Sequence, residues 1–274
     1  GGSAVVTSAG GNSQTLNVSG SLGMTSLNVW LGNGNDTFTG SSGSNQVILG
    51  GGTDSADAGD GFDTIRYNRS EMDTGVVANL QTGSATGTFD GSDFVHTLSN
   101  FERVRGSDFD DVLTAGDTGG NTLEGRGGDD LLRRADFDEG WTDGDGGRDT
   151  REQTASGSFD FSAIDVGDSY RDIEVLSFEN SGADVATLSL QNVIDFSSTA
   201  DSLLENAFGG DAAESLSVVG DAGDTVRFAD GTVAQNGTVN DSAGRTLDVY
   251  QFTSGADILA VVAVDQDVSV ETLA

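Results

Sequence analysis

Gly32-Asn33-Gly34-Asn35-Asp36-Thr37-Phe38, Gly50-Gly51-Gly52-Thr53-Asp54-Ser55-Ala56 and Gly59-Asp60-Gly61-Phe62-Asp63-Thr64-Ile65 repeat one pattern. An acid closes a glycine turn, and an apolar residue follows two positions later. Asn45 fills the missing step, so the polar positions are 36, 45, 54 and 63, a period of nine. Val29, Phe38, Val47, Ala56 and Ile65 keep the same period. A fixed internal period of this kind is the mark of stacked structural repeats rather than of a chain folded once.

The spacing has a physical meaning. Glycine permits the positive-φ conformations of tight turns. The three residues after each turn form a short strand whose middle side chain points inward. Two such units make one coil of about 18 residues with a strand on each side. Turns one coil apart then lie one strand spacing (~4.8 Å) from each other. Asp36 is expected over Asp54, and Asn45 over Asp63. Stacked carboxylates repel, so a hard cation held by them and by turn carbonyls would couple binding to folding.

Composition agrees with a cation sink. The chain has 274 residues with 45 acids against 12 bases, a formal net charge of −33. Asp outnumbers Glu 35 to 10, and Asp is the shorter ligand, suited to tight turns. Such a charge repels the phosphates of nucleic acid and anionic lipid surfaces, so neither is expected as a partner. There is no Cys, hence no disulfide and no thiolate chemistry. No apolar run reaches the ~18 residues of a membrane span. A hydrophobic fraction of 35% is enough for a core, which argues against a disordered acidic tail. The chain opens on Gly1-Gly2, without the basic-then-apolar pattern of a secretory leader.

A second cluster runs through Gly106-Ser107-Asp108-Phe109-Asp110-Asp111-Val112-Leu113, Gly116-Asp117-Thr118-Gly119-Gly120-Asn121-Thr122-Leu123 and Gly125-Arg126-Gly127-Gly128-Asp129-Asp130-Leu131-Leu132. Asn121 and Asp130 are nine apart; one residue is inserted before Asn121. Arg126 stands where a glycine belongs. Glu139, ahead of Trp141, and Gly144-Asp145-Gly146-Gly147-Arg148-Asp149 continue the series weakly. Fewer or weaker cations are expected in this cluster.

Together these blocks resemble the hemolysin-type calcium-binding repeats of the repeats-in-toxin (RTX) family. The segment from Asp63 through Val76-Val77-Ala78-Asn79-Leu80 to Arg103-Val104-Arg105-Gly106-Ser107 resembles the spacer between roll blocks in that family. Its alternating Val76, Ala78 and Leu80 read as a strand, Thr82 to Asp93 as loops or a hairpin, and Phe101 and Val104 as a return strand. The order Gly220-Asp221-Ala222-Gly223-Asp224-Thr225-Val226 with Asp265-Gln266-Asp267-Val268 is similar to the terminal region of large type-I-secreted bacterial surface adhesins. The resemblance implies an extracellular or cell-surface bacterial protein, exported by type I secretion.

The expected fold is all-β. It is a parallel β-roll in two blocks, 1–68 and 106–151, joined by spacer strands over 69–105 and followed by a β-rich domain over 152–274. In that last region Phe159 to Ile164, Ile173 to Phe178, Ser215 to Val219, Thr225 to Phe228, Thr246 to Phe252 and Ile258 to Val264 read as strands. Ala200 to Ala207 reads as a helix capped by Ser198 or Thr199.

The candidate calcium site comprises Gly32, Gly34, Asp36, Asn45, Gly50, Gly52, Asp54, Gly59, Gly61, Asp63, Asp111, Gly119, Asn121, Gly128 and Asp130. Asp60, Asp129 and Asp145 lie inside turns and add negative field. Asp221 and Asp224 are better read as an acidic turn than as ligands. His96, the sole imidazole, reads as a loop or strand surface residue; no G-x-S-x-G elbow or HExxH accompanies it. No catalytic set is therefore expected. Trp30 and Trp141 read as cover for roll ends or as packing residues, with carbohydrate stacking as the alternative. The leading function is a calcium-folded structural or adhesive protein that self-associates into a filament or layer, toward a surface or carbohydrate receptor the sequence does not name. The alternatives are the calcium-dependent folding and export region of a secreted hydrolase, or a plain calcium buffer.

Overall fold

The structure is a computed structural model and describes residues 2–7, 11–19, 24–117, 120–135, 140–196, 203–204, 214–255 and 257–273. Gly119, Glu139, Ser198, Thr199 and the expected 200–207 helix, apart from residues 203 and 204, lie outside them. The chain forms two compact units, Gly1–Leu131 and Leu132–Ala274. The fold is all-β, with parallel sheets wound as a β-roll.

In the first unit the chain alternates between two sheets. One carries, in spatial order, Gly2–Thr7, Met24–Trp30, Ser44–Ile48, Thr64–Arg66, Arg103–Arg105 and Thr122–Gly127. The other carries Thr15–Asn17, Thr37–Thr39, Thr53–Asp57, Ser92–Ser99, Ser84–Phe89, Val77–Asn79 and Val112–Thr114. Register follows the repeat: Ser26 lies opposite Ser44, Thr37 opposite Ser55 and Gln46 opposite Thr64, each one coil apart. The inward residues align as a ladder, Val29–Val47–Ile65–Val104–Leu123, all 0% exposed. Burying such side chains supplies ~1.5–3 kcal/mol each. Because the strand period is two, a slip of one residue would turn this whole row to solvent, which fixes the register.

The spacer enters the second sheet as a hairpin. Ser84–Phe89 and Ser92–Ser99 pair antiparallel around Asp90 and Gly91, both at positive φ (50° and 72°). An Asp-Gly pair with both φ values positive matches the right-handed twist of its strands. Ser92–Ser99 also pairs in parallel with Thr53–Asp57, which sets His96 directly opposite Asp54. Along Ser92–Ser99 the residues Phe94, His96 and Leu98 are buried, whereas Val95 and Thr97 are exposed. The expectation of a surface histidine is thus corrected: His96 is 1% exposed, because the hairpin is a rung of the sheet and its alternation turns residue 96 inward.

The second unit is also built from parallel rungs. Thr150–Gln153, Val175–Phe178, Ser215–Gly220 and Asp257–Asp265 stack in parallel, and the antiparallel strands Thr246–Ser254 and Thr232–Asn240 complete that sheet. Ser158–Asp160, Val185–Leu188, Thr225–Phe228 and Ser269–Thr272 form a second parallel stack. Val175, Val219, Leu247, Val249, Val261 and Ala263 share one core cluster. Leu190–Phe196 is a short helix with Val193 and Phe196 buried. No helix among the described residues is long and apolar enough to cross a membrane.

Candidate metal centre

Each coil closes on an acid by a reciprocal pair of hydrogen bonds. The N–H of Asp36 donates to Oδ1 of Asp54 (2.8 Å), and the N–H of Ser55 returns to the carbonyl of Asp36 (2.9 Å). The carboxylate thus accepts the N–H that the parallel ladder would leave open at the strand entrance. The same device joins Gln14 to Asp36 (2.7 Å), Asn45 to Asp63 (2.5 Å), Asp63 to Glu102 (2.7 Å), Val76 to Asp111 (2.6 Å) and Asp111 to Asp130 (2.7 Å). In the second unit it joins Asp149 to Glu174 (2.8 Å), Gly157 to Asp184 (2.5 Å) and Asp184 to Asp224 (2.8 Å). A hydrogen bond to a charged group contributes ~1.5–3 kcal/mol.

At Asp36, Asp54 and Asp63 this assigns one oxygen to the fold and leaves the other to be answered. Asp36 is 2% exposed and Asp63 0%, and Oδ2 of each is buried without a hydrogen-bond partner. Asp54 is 2% exposed; its Oδ2 lies 3.0 Å from His96 Nε2 but off the line of a directed hydrogen bond. Burial pushes the Asp63 carboxyl up to about 6, against the lowering effect of its two bonds from Asn45. Burial also raises Asp36, with the Asp54 charge adding to the rise and the bond from Gln14 opposing it.

The glycines bring turn backbone against turn backbone. A Cβ on Gly50 would stand 2.5 Å from the Gly32 carbonyl oxygen, and one on Gly52 would stand 2.0 Å from that of Gly34. Gly52 also has φ +127°, a region that L side chains rarely adopt. The turns 32–36 and 50–54 therefore stack only because these positions lack a side chain. Gly59 and Gly61 also sit at positive φ in the turn above Ser41 and Gly43.

Asn45 is fully buried and its amide nitrogen serves as a donor, to Gly43 O (2.7 Å), Ala58 O (2.9 Å) and Asp63 Oδ1 (2.9 Å). It supports Asp63 more directly than it offers an oxygen of its own. Asp111 has both oxygens engaged: Oδ1 accepts from Val76 N and Ser107 Oγ (2.8 Å), and Oδ2 accepts from Ser107 N (2.7 Å). Burial nevertheless raises its carboxyl to about 6. Asn121 and Asp130 are buried, and Gly128 has φ +106° against the Asp110 backbone. Asp224 takes Asp184 N on Oδ1 and Asp221 N (2.7 Å) on Oδ2, so the 221–224 segment is an acidic turn tied to a rung.

The chemistry of the donor set fits a hard cation best at the first cluster. There Asp36, Asp54 and Asp63 place buried carboxylates beside stacked glycine carbonyls, the oxygen-only surroundings calcium takes. Among the described residues no three acids or imidazoles converge on one point, so a cage here would draw on the backbone as well.

Sequence reasoning missed Glu102, Glu174 and Asp184 as members of the acid ladder, and placed Asp149 in it only as the weak close of the second cluster. Their signal is present: each stands two residues ahead of a buried inward residue, as Glu102 does of Val104, Glu174 of Leu176 and Asp184 of Ala186. No known family model matches the chain, and no curated protein is similar enough to count as a relative.

Proposed function

We propose that this chain is a secreted bacterial calcium-binding structural or adhesive protein, folded by calcium outside the cell. The observation that carries the reading is the pair of buried, unpartnered carboxylate oxygens on Asp36 and Asp63 beside stacked glycine turns. A buried carboxylate oxygen costs several kcal/mol unless a proton or a cation answers it. Asp36 and Asp54, with the carbonyls of the turns at 32–34 and 50–52, would hold one ion, and Asp63, with the turn at 59–61, would hold another. Bound calcium would supply the positive charge that lets the acid stack close at neutral pH.

The net charge of −33 supports the same reading. An acidic chain without calcium repels itself and stays expanded; extracellular calcium removes the repulsion. Affinity in the ~10⁻⁴–10⁻³ M class of extracellular modules would suit that gradient. Once folded, roll coils expose sheet edges, the surfaces through which copies would associate into a filament or layer.

Sedimentation velocity of the full chain in EGTA and then in millimolar calcium tests this. The expected result is a slow, expanded species that compacts with calcium and then grows with protein concentration. Identical sedimentation in both buffers would overturn the calcium reading. Compaction to a monomer at every concentration would overturn self-association alone.

A further inference from the structure

A chain with only 12 bases places three of them on one small patch of the first sheet. Arg66 lies opposite Arg105, and Arg103 lies opposite Thr64, on adjacent parallel strands. Gln46 extends the second row, opposite Thr64. Ile65 and Val104, between these residues, point inward with 0% exposure, so the arginines and Thr64 stand on the opposite, outward face. Gln46, Thr64, Arg66, Arg103 and Arg105 line a cavity of about 150 Å³.

The guanidinium groups are held but not consumed. Arg66 donates Nε to Asn68 Oδ1 (3.1 Å) and Nη1 to Gln46 Oε1 (2.9 Å). Arg103 lies over the Phe62 ring at 5.4 Å, with Nε 3.4 Å from Glu124 Oε1. Arg105 Nε bonds the other Glu124 oxygen. Among the described residues, the terminal nitrogens of Arg103 and Arg105 carry no hydrogen bond. Their neighbour Arg126 is engaged elsewhere, by Asp108. Arg103 and Arg105 thus share one carboxylate, and Arg66 is held by neutral side chains alone.

Like charges set side by side across a sheet destabilise it unless something answers them. The rest of the protein cannot do so at a distance: at physiological salt the screening length is about 8 Å. An anion inside the cavity would feel these guanidinium groups far more than the remote acids. Their planar forks suit paired oxygens. The volume suits one such group; it falls below the roughly 300–1,000 Å³ of pockets for larger ligands.

We propose that Arg66, Arg103 and Arg105 form a receptor for one oxyanion group, a sulfate, phosphate or carboxylate, either free or carried on an acidic polysaccharide. This site is separate from the acid ladder and does not depend on the calcium reading. Glu124 acts as its internal competitor, drawing Arg103 and Arg105 together when no anion is present.

The test is NMR of the arginine Nε–H signals of the full chain during titration with sodium sulfate against sodium chloride at constant ionic strength. The signals of Arg66, Arg103 and Arg105 are expected to move together to saturation, while that of Arg227, paired with Glu271 elsewhere, stays still. R105Q should weaken binding by about tenfold, the loss of one charge-assisted contact. E124Q should tighten it severalfold, an outcome that a purely structural role for Glu124 would not produce; circular dichroism checks that both variants keep the fold. Dextran sulfate then separates the sources: tighter binding per sulfate marks a polymer-borne group, equal binding a free anion. Shifts that never saturate, or an E124Q variant that binds sulfate more weakly, would overturn the proposal.

Discussion

The N–H of Asp36 and Oδ1 of Asp54 are 2.8 Å apart across eighteen residues of sequence, and that bond is the unit from which the roll is built. It gives the acid two tasks. One oxygen closes the backbone ladder of the preceding coil; the other, buried, asks for a cation or a proton. The first task makes the acid a structural residue in each rung that carries one. The second makes folding sensitive to pH and to calcium.

Without calcium, stability should fall as pH rises. Asp63 and Asp111 ionise at an ordinary value of 3.8 in the unfolded chain and near about 6 in the folded one, because burial disfavours their charge. Between those values the folded chain holds more protons, so folding is favoured most below 3.8 and loses ground as pH rises through about 6. The loss is on the order of 1–2 kcal/mol for each group once solvent screening is allowed for. Circular dichroism in EGTA should therefore show more folded chain at pH 5 than at pH 7.5. In millimolar calcium the order should invert, since calcium and protons compete for the same oxygens. Equal order in both buffers would separate the buried carboxylates from any cation.

Gly52→Ala should do far more harm than Gly91→Ala. Both glycines have positive φ, so both substitutions carry a strain of ~1–3 kcal/mol. A methyl at position 91 meets nothing within 4 Å, whereas one at position 52 meets the Gly34 carbonyl oxygen at 2.0 Å. The first variant should lower the melting temperature by a few degrees and leave the calcium midpoint unchanged. The second should separate the stacked turns and raise the calcium midpoint at least several-fold. Equivalent calcium titrations of the two variants would show that turn contact has no part in the site.

The nine-residue period revealed the ladder Val29–Val47–Ile65 because glycine turns and inward residues repeat together there. It did not reveal Glu174 or Asp184, since closing a rung needs only a carboxylate within reach of an N–H, not a glycine at positive φ. The pairing of an acid with an inward residue two positions on outlasts the glycine pattern, and parallel stacking continues in the second unit with it. His96 was hidden differently: its inward direction follows from which strand the hairpin joins, a long-range fact. The patch of Arg66 and Arg105 was equally silent, since positions 39 residues apart become neighbours only when the spacer returns the chain to the first sheet.

His96 and Asp54 should be energetically coupled. His96 stacks on Phe94 at 4.3 Å between ring centroids, and Tyr67 Oη lies 3.3 Å from its Nδ1. Its Nε2 meets the Gly50 carbonyl oxygen (3.2 Å), an acceptor that places the proton on Nε2, with Asp54 Oδ2 3.0 Å away. His96→Ala should cost roughly 2–4 kcal/mol through the cavity and the abandoned acceptors. In a double-mutant cycle with Asp54→Asn at saturating calcium, the coupling should be about 0.5–3 kcal/mol. A coupling within error of zero would mean that the imidazole only fills space.

Arg126→Gly should stabilise the protein, although it removes an ion pair. Arg126 has φ 96°, and it occupies the step where the repeat calls for glycine. A non-glycine residue held there stores ~1–3 kcal/mol of backbone strain. What Arg126 returns is a two-pronged contact with Asp108, at 2.7 and 3.0 Å, whose acid side chain is 67% exposed. Exposed pairs of this kind contribute ~0.2–1 kcal/mol and fade with salt. Glycine also carries an entropic cost of ~0.5–1 kcal/mol in the unfolded chain, which narrows the gain without reversing it when the strain is at the upper end of its range. Removing Arg126 further relieves its repulsion of Arg66. The variant should therefore melt higher than the parent, and the difference should widen in 1 M salt, where the lost ion pair no longer counts. A variant that melts lower at both salt concentrations would put the strain at 126 below the roughly 1–2 kcal/mol that the ion pair and the entropy of glycine set against it.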